Sequence, residues 1–415
     1  MGIGNGKRET GNWKLGKAKE HTVHSRRDRG NRALSVCPIP STACDFPFSS
    51  LQSRFSIFQF LVSSLVVSAM LPAPSWAVAL EPTVRIKVLG LFHPVELVVA
   101  PPSYEVLVVH GEGQSLALQP GQGAKLLALN GTVHCIAPAG TLVAPRIQVS
   151  GRDSDVLQLV VPGKLERLFR GGLEVAARGD ELVAIVTMDV EVAVASVVAA
   201  ESLPGAPLDA LKAQAVAARS YYVAAPRHLG DGFDFCDTTH CQFIREVHGS
   251  PVGRGLGAAD RAAQAAAETR GMILTYRGVR LPALYSASCG GRTRSLIEAG
   301  LSTDNYPYYA VDCSYCQHES HAWESRLELD QAALLLAQAS EGTRLLTARR
   351  LGWSQVRGNN YEVRLEETTA VLRGYGAGHG VGLCQAGAAA LASAGWDFRA
   401  ILAHYYPNTL IQNPQ

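Results

Sequence analysis

The segment Phe235-Cys-Asp-Thr-Thr-His-Cys-Gln242 places Cys236, His240 and Cys241 within six positions. Two thiolates and an imidazole on one tight loop suit tetrahedral zinc, and His228 upstream completes a set of four ligands. The rival is a disulfide between Cys236 and Cys241, which an oxidising compartment would allow. The adjacent His-Cys pair favours zinc, in a structural role that closes the loop. Cys313-Ser-Tyr-Cys316 is a second Cys-x-x-Cys, with Cys289, His318 and His321 in reach by sequence. A second zinc, a disulfide and a redox pair stay open there, the disulfide being the plainest. Cys135 and Cys384 read as small buried hydrophobes. Gly378-His-Gly-Val-Gly382 lacks the Lys-Ser/Thr ending of a phosphate loop. Together with 286–293 it supplies small residues that let a polymer approach the backbone closely.

These groups need elements to hold them. From 84 to about 186, short Val/Ile/Leu runs recur about every ten residues, broken by Pro101-Pro102, Pro120-Gly121 and Asn130-Gly131. That spacing predicts antiparallel β structure. The texture changes near Met188. The stretch 190–200 is rich in Ala and Val and fits a helix or a buried strand equally. A helix is predicted over 207–225, where Leu208, Leu211, Ala215, Ala218 and Tyr222 recur at helical spacing behind Pro207. A second Ala-rich helix is expected over 258–270 and a hairpin over 272–286, turning at Arg277-Gly278. Further helices are expected over 330–339, 385–394 and 398–406, a strand over 361–365 and a Gly-rich loop over 374–382. Helices and strands interleave without regular βαβ repeats, so the fold class is α+β: a β-rich N-terminal module (80–165), then a mixed α+β domain (166–415).

The chain has 415 residues, 47% of them hydrophobic and 18% charged, which is too apolar for a disordered protein. Its formal charge of +2 averages unlike parts. Residues 1–54 hold ten Lys/Arg and four acids, 55–79 hold no charge, and 80–415 keep 28 basic against 32 acidic residues, a net of −4. A mildly acidic body argues against nucleic acid as a partner. The one long apolar run, 55–79, is interrupted at Pro72, Pro74 and Trp76, which excludes a polytopic membrane protein. Arg54, the run itself and Ala77-Val78-Ala79 fit a signal peptide over 51–79, against the alternative of a retained anchor helix. For the basic, polar residues 1–50, two readings are open: an extension, or a start placed upstream of a true one near Leu51. Either way the body is expected outside the cytoplasm, periplasmic or extracellular, with the membrane touched only through the export segment.

Several blocks in one order carry a resemblance. They are Glu201-Ser-Leu-Pro-Gly-Ala-Pro-Leu-Asp-Ala-Leu-Lys-Ala-Gln-Ala-Val-Ala-Ala-Arg-Ser-Tyr221, 236–243, Thr269-Arg-Gly-Met-Ile-Leu-Thr-Tyr-Arg-Gly278, Tyr285-Ser-Ala-Ser-Cys-Gly-Gly-Arg-Thr293, Gly376-Ala-Gly-His-Gly-Val-Gly-Leu-Cys-Gln-Ala-Gly-Ala388 and Ile401-Leu-Ala-His-Tyr-Tyr-Pro-Asn-Thr409. Over roughly 170–410 the chain resembles the stage II sporulation protein D and amidase-enhancer family. The resemblance implies a glycan groove and action on bacterial peptidoglycan. The sporulation protein looks like a lytic transglycosylase, which cuts the MurNAc–GlcNAc β-1,4 bond of denuded strands and leaves 1,6-anhydro-MurNAc ends. The amidase enhancers activate N-acetylmuramoyl-L-alanine amidases. Some members bind zinc through a His…Cys…His-Cys pattern like that of His228, Cys236, His240 and Cys241. No organic cofactor is implied.

By the resemblance, Glu201 is the catalytic carboxylate. Hydrolases of glycosides need two carboxylates across the bond. A lytic transglycosylase works with one, because the sugar's own C6 hydroxyl replaces water. Such an acid must stay protonated near neutral pH, and the apolar run 192–200 before Glu201 would raise its pKa. Were that run helical, its dipole would push the same way. Two departures from the family's pattern, Ser202 after the acid and Val190-Glu-Val-Ala193 before it, put the local groove geometry in question. Family position also assigns the sugar site to Ser288, His379 and Gln385, with Gln214 and Arg219 on the adjacent helix, although an internal ion pair accounts for Arg219 equally well. Two rival functions remain. One is a non-catalytic activator that binds glycan or an amidase. The other is a cysteine hydrolase built on Cys289 or Cys384 with His379, for which the sequence supplies no fitting nucleophile context.

Overall fold

The computed structural model describes residues 82–413, apart from 103–104, 153–155, 225–226, 229, 245–257, 300–305 and 319–320. The predicted export segment and the basic stretch before it lie outside the described residues, which all fall in one compact unit.

Twelve described strands come first. They are β1 (Thr83–Val88), β2 (Glu96–Ala100), β3 (Leu107–Gly111), β4 (Gln114–Leu118), β5 (Ala124–Leu129), β6 (Thr132–Ala137), β7 (Gly140–Ala144), β8 (Arg146–Gly151), β9 (Val156–Val161), β10 (Leu165–Arg170), β11 (Gly172–Arg178) and β12 (Glu181–Asp189). Then follow α1 (Val190–Glu201), α2 (Leu208–Ala224), β13 (Phe235–Cys236) and α3 (Ala258–Glu268). The remainder is β14 (Ile273–Tyr276), β15 (Val279–Arg280), β16 (Tyr285–Ser286), β17 (Ala322–Glu328), α4 (Gln331–Gln338), α5 (Glu341–Leu351), β18 (Asn360–Leu365), β19 (Thr369–Tyr375), β20 (Leu383–Cys384), α6 (Gln385–Ser393), α7 (Phe398–Tyr405) and β21 (Leu410–Gln412). The α+β class read from the sequence is the class observed, and no described helix is long and apolar enough to cross a membrane.

The first strands build a seven-stranded sheet, ordered β13-β1-β12-β11-β8-β3-β4, and a six-stranded sheet, ordered β10-β9-β2-β5-β6-β7. Alternate residues are buried along most of these strands, as in Val84, Ile86 and Val88 of β1 or Ala124, Leu126 and Ala128 of β5. The buried faces of both sheets join one core. Truncating fully buried Leu126 to Ala would cost about 2–5 kcal/mol in that core. Strand β12 departs from the alternation, being buried continuously from Leu182 to Val186. Its second face is covered by Phe233, which packs on Val183 and Ile185 beside Cys236.

The stretch 190–200 is a helix. Asp189 caps it, its carboxylate accepting from the N–H of Glu191 at 2.6 Å and of Val192 at 3.4 Å. Helix α2 serves two cores at once. Leu211, Ala215 and Ala218 face α1, α3 and the sheets, while Ala213, Val216 and Ala217 face α6 and α7. Alanine on both sides lets neighbours approach a helix enclosed all round. The hairpin expected over 272–286 is shorter than predicted. β15 holds two residues only, and the chain leaves through Leu281-Pro282 to start β16, which pairs in parallel with β20. A third small core lies between α4, α5 and the sheet of β17, β19 and β18.

Candidate active site

Glu201 is the last residue of α1, with Ser202 as its C-cap. One carboxylate oxygen, Oε1, accepts from the backbone N–H of Phe243 at 2.6 Å. The other, Oε2, accepts from the Tyr285 hydroxyl at 2.5 Å. Among the described residues no cation pairs with this carboxyl. The residue is half-buried. Burial raises the pKa above the usual carboxylate range, against the two hydrogen bonds, which lower it. The negative end of the α1 dipole at its last residue opposes ionisation too. Tyr285 is neutral, because burial and the nearby Glu201 charge push its hydroxyl far up. Tyr222 is buried near the same carboxyl, with a hydroxyl that finds no hydrogen-bond partner among the described residues.

Short strands bring these groups together. β16 runs parallel to β20 with Tyr285 opposite Leu383 and Ser286 opposite Cys384. That register carries Tyr285 to Glu201 and leaves Gln385, the first residue of α6, within reach. The Gln385 side chain donates to the Glu201 main-chain carbonyl at 3.0 Å. Gly382 makes the approach possible, since a Cβ there would stand 1.9 Å from the Leu284 carbonyl oxygen. Gln214 lies one step further out, its side-chain oxygen accepting from the Ser202 hydroxyl at 2.8 Å.

The remaining residues expected at the sugar site do not bond Glu201 among the described residues, although His379 bonds the Tyr285 main chain. Arg219 is enclosed, 1% exposed, and forms a forked pair with Glu191, Nε to Oε1 at 2.7 Å and Nη2 to Oε2 at 2.6 Å. It also donates to the carbonyls of Met272 and Ala266. Of the two readings open for Arg219, the internal ion pair is what the structure holds. His379 is half-buried. Its Nδ1 accepts from the Val381 N–H at 3.0 Å, and burial holds its pKa down to about 4. The Ser288 hydroxyl is buried beside the Cys316 sulfur, not directed at Glu201. A glycan groove at Glu201 is not shown among the described residues. An open depression of about 510 Å³ lies instead on the strands around His110, Gln114, Arg146 and Gln148.

His228, Cys236, His240 and Cys241 converge, with one ligand atom from each lying within 4.8 Å of all the others. The Cys241 sulfur is 3.4 Å from His228 Nε2, and His240 Nδ1 is 3.6 Å from both sulfurs. Ligands of one tetrahedral zinc ion stand about 3.3–3.8 Å apart, so the donor set and these spacings suit that ion. The two sulfurs are 2.8 Å apart, longer than a disulfide bond and shorter than the spacing of two thiolates on one zinc ion. The other His228 nitrogen, Nδ1, bonds Asp231 at 3.2 Å, the carboxylate partner that commonly orients a metal-bound imidazole. Hydrogen bonding from Cys241, then from His240, Thr238 and His228, holds the Cys236 thiol below its ordinary value. The loop is anchored twice. β13 adds to the edge of the large sheet beside β1, and buried Asp237 accepts from the Leu89 N–H at 2.8 Å. Two residues past Cys241, the same loop delivers the Phe243 N–H to Glu201.

Cysteines 289 and 384 do not offer a hydrolase nucleophile. They are 4% and 0% exposed, and their sulfurs gather with those of Cys313 and Cys316. Cys384 is buried as expected, but its sulfur also joins this group, while His318 and His321 are outside it. The Cys313 and Cys316 sulfurs are 3.7 Å apart, without the bond that a disulfide requires. Sequence reasoning missed Tyr285 and the Phe243 N–H as partners of the acid. Both lie inside the blocks that carried the resemblance, which was the signal that could have pointed to them.

Residues 178–276 match the family described as stage II sporulation protein. An uncharacterized protein of Brachyspira hyodysenteriae is similar at 28% identity over 273 residues, spanning 57% of this chain and 70% of that protein.

Proposed function

We propose, from the premise that residues 178–276 assign this chain to the stage II sporulation protein family, that it is a lytic transglycosylase acting on the glycan strands of peptidoglycan. The family assignment itself supports a cell-wall-related protein. The observation that carries the finer reading is the Glu201 carboxyl, partly buried, without a cation among the described residues, and held between a backbone N–H and a neutral tyrosine.

The two oxygens are unequal. Oε1 faces an N–H, which can only donate, so a proton on the carboxyl resides on Oε2, shared with the Tyr285 oxygen. From there it passes to the glycosidic oxygen as the C1–O bond breaks. The resulting carboxylate, now stabilised by both donors, takes the proton of the C6 hydroxyl as that oxygen closes on C1. Water is not consumed and one acid suffices. Gln385, on the Glu201 carbonyl, and Gln214, on Ser202, position the end of α1. His228, Cys236, His240 and Cys241 hold a structural zinc ion in this reading. The ion fixes the loop that presents the Phe243 N–H and takes no part in the proton transfers. The protein works outside the cytoplasm at the cell wall.

One observation favours a second reading: both Glu201 oxygens already have protein donors, as a purely structural carboxylate would. A non-catalytic enhancer of a cell-wall amidase is the function that fits it. Digestion of purified denuded strands, read by mass spectrometry, separates the two. Anhydro-MurNAc ends released by the wild type and lost in Glu201→Gln support the transglycosylase. No such ends from the wild type, with stimulation of an added amidase, overturns it.

A further inference from the structure

We propose that Cys289, Cys313, Cys316 and Cys384 form a second metal site, a closed tetrathiolate holding one zinc ion behind the Glu201 region. This rests on the sulfur geometry and not on the transglycosylase reading. Each of the four sulfurs lies within 4.8 Å of all the others. Cys313 and Cys316 are 3.7 Å apart and Cys316 and Cys384 are 3.2 Å apart. Thiolates around one tetrahedral zinc stand about 3.8 Å apart, whereas a disulfide brings two sulfurs to about 2.05 Å. An iron–sulfur cubane puts an inorganic core between its thiolates, and a group this tight has room for a single ion only.

Donor groups reach these sulfurs. Cys384 is the N-cap of α6, where the helix dipole favours negative charge, and its sulfur accepts from the Gly387 N–H at 3.4 Å and the Cys289 N–H at 3.3 Å. The Tyr405 hydroxyl lies 3.2 Å from the Cys313 sulfur. Such N–H and O–H partners are the usual outer shell of a thiolate–metal centre. All four cysteines are at most 4% exposed, so the site is closed, with no open position for substrate. The wall is tight at Gly387, where a Cβ would come within 2.4 Å of the Cys313 sulfur. Three chain segments far apart in sequence meet here, and the last ligand directly precedes Gln385, which bonds Glu201. The ion staples the loops behind the acid.

Zinc bound to the full chain, purified without added chelator, tests this by elemental analysis and by alkylation of native thiols. Two zinc ions per chain are expected, falling to one in Cys313→Ser/Cys316→Ser and to one in Cys236→Ser/Cys241→Ser. Should the first variant fail to fold, the second still decides. It should keep one zinc and, on exchange for cobalt, show the intense charge-transfer absorption of a four-sulfur site, with Cys289, Cys313, Cys316 and Cys384 protected from alkylation until the metal is stripped. A wild type holding one zinc that the Cys236→Ser/Cys241→Ser change abolishes overturns the proposal. Peptide mapping that joins any of the four by disulfides overturns it as well.

Discussion

Helix α1 carries a glutamate at each end, and the two are held in opposite ways. Glu191, in the first turn, meets the Arg219 guanidinium through two short bonds and also accepts from the Gly271 N–H at 3.2 Å. Glu201, at the last residue, meets only neutral donors among the described residues. The dipole of α1 favours a carboxylate at the first position and opposes one at the second. One acid is a fastener between α1, α2 and the end of α3. The other is left able to gain and lose a proton, which is what acid–base chemistry requires.

Exchanging their chemistry should separate the roles. The largest effect expected is on turnover. Glu201→Gln should lower the release of anhydro ends by about a thousandfold, within the usual range for a lost general acid, while circular dichroism stays native. Turnover within a few-fold of wild type would erase the contrast between the two glutamates. Arg219→Met comes next. It leaves the Glu191 carboxylate partly buried without its cation, and breaking such a pair costs about 3–5 kcal/mol in denaturant unfolding. The double change Glu191→Met/Arg219→Met should recover a large part of that loss, and equal losses in single and double variants would mean the pair is not the fastener.

Smaller effects sharpen the Glu201 side. The Tyr285 hydroxyl favours the charged form of Glu201, so Tyr285→Phe should raise the acid's pKa further. Catalysis that needs a protonated acid fails as pH rises through that pKa, so the alkaline limb of the pH–rate profile should move to higher pH. A limb that moves to lower pH, or stays, would mean that Tyr285 does not favour the carboxylate form of Glu201. The smallest effect is on stability. A carboxyl whose pKa is raised on folding contributes fully below its unfolded value, near 4.5, and loses that contribution as pH rises through the folded value. Glu201→Gln should therefore match the wild type in melting temperature near pH 4 and exceed it by a few degrees near pH 8.

Much of the frame was legible because it follows from periodicity. Alternating burial in the early strands repeats their alternating sequence, and the 3.6-residue pattern of Leu208, Leu211, Ala215 and Ala218 became the face α2 turns to the larger core. The low-dielectric setting of Glu201 was legible for the same reason: an apolar run ends on it. What escaped was set by contacts too short or too distant to leave a pattern. β16 and β20 pair over two residues each, yet that register brings Tyr285 to the acid. Cys384 reads as one more small apolar residue until the fold lays it beside cysteines 68 to 95 positions away. Helix α5 was not anticipated, because Glu341-Gly-Thr-Arg344 opens it with polar, weakly helical residues. Arg219 stood equally well as ligand contact or ion pair, since only the fold could supply Glu191 from a different helix.

Strand β1 is the earliest of the described strands, yet it lies inside its sheet, flanked by β12 and β13. Ile86 finds one neighbour in Val186 and the other in Phe235. During synthesis, a ribbon bearing Val84, Ile86 and Val88 therefore emerges long before either flank exists to cover it. Such delayed pairing slows folding and leaves a sticky edge exposed in the meantime. That apolar ribbon waits until residues 181–189 and 235–236 have been made before both its flanks can pair.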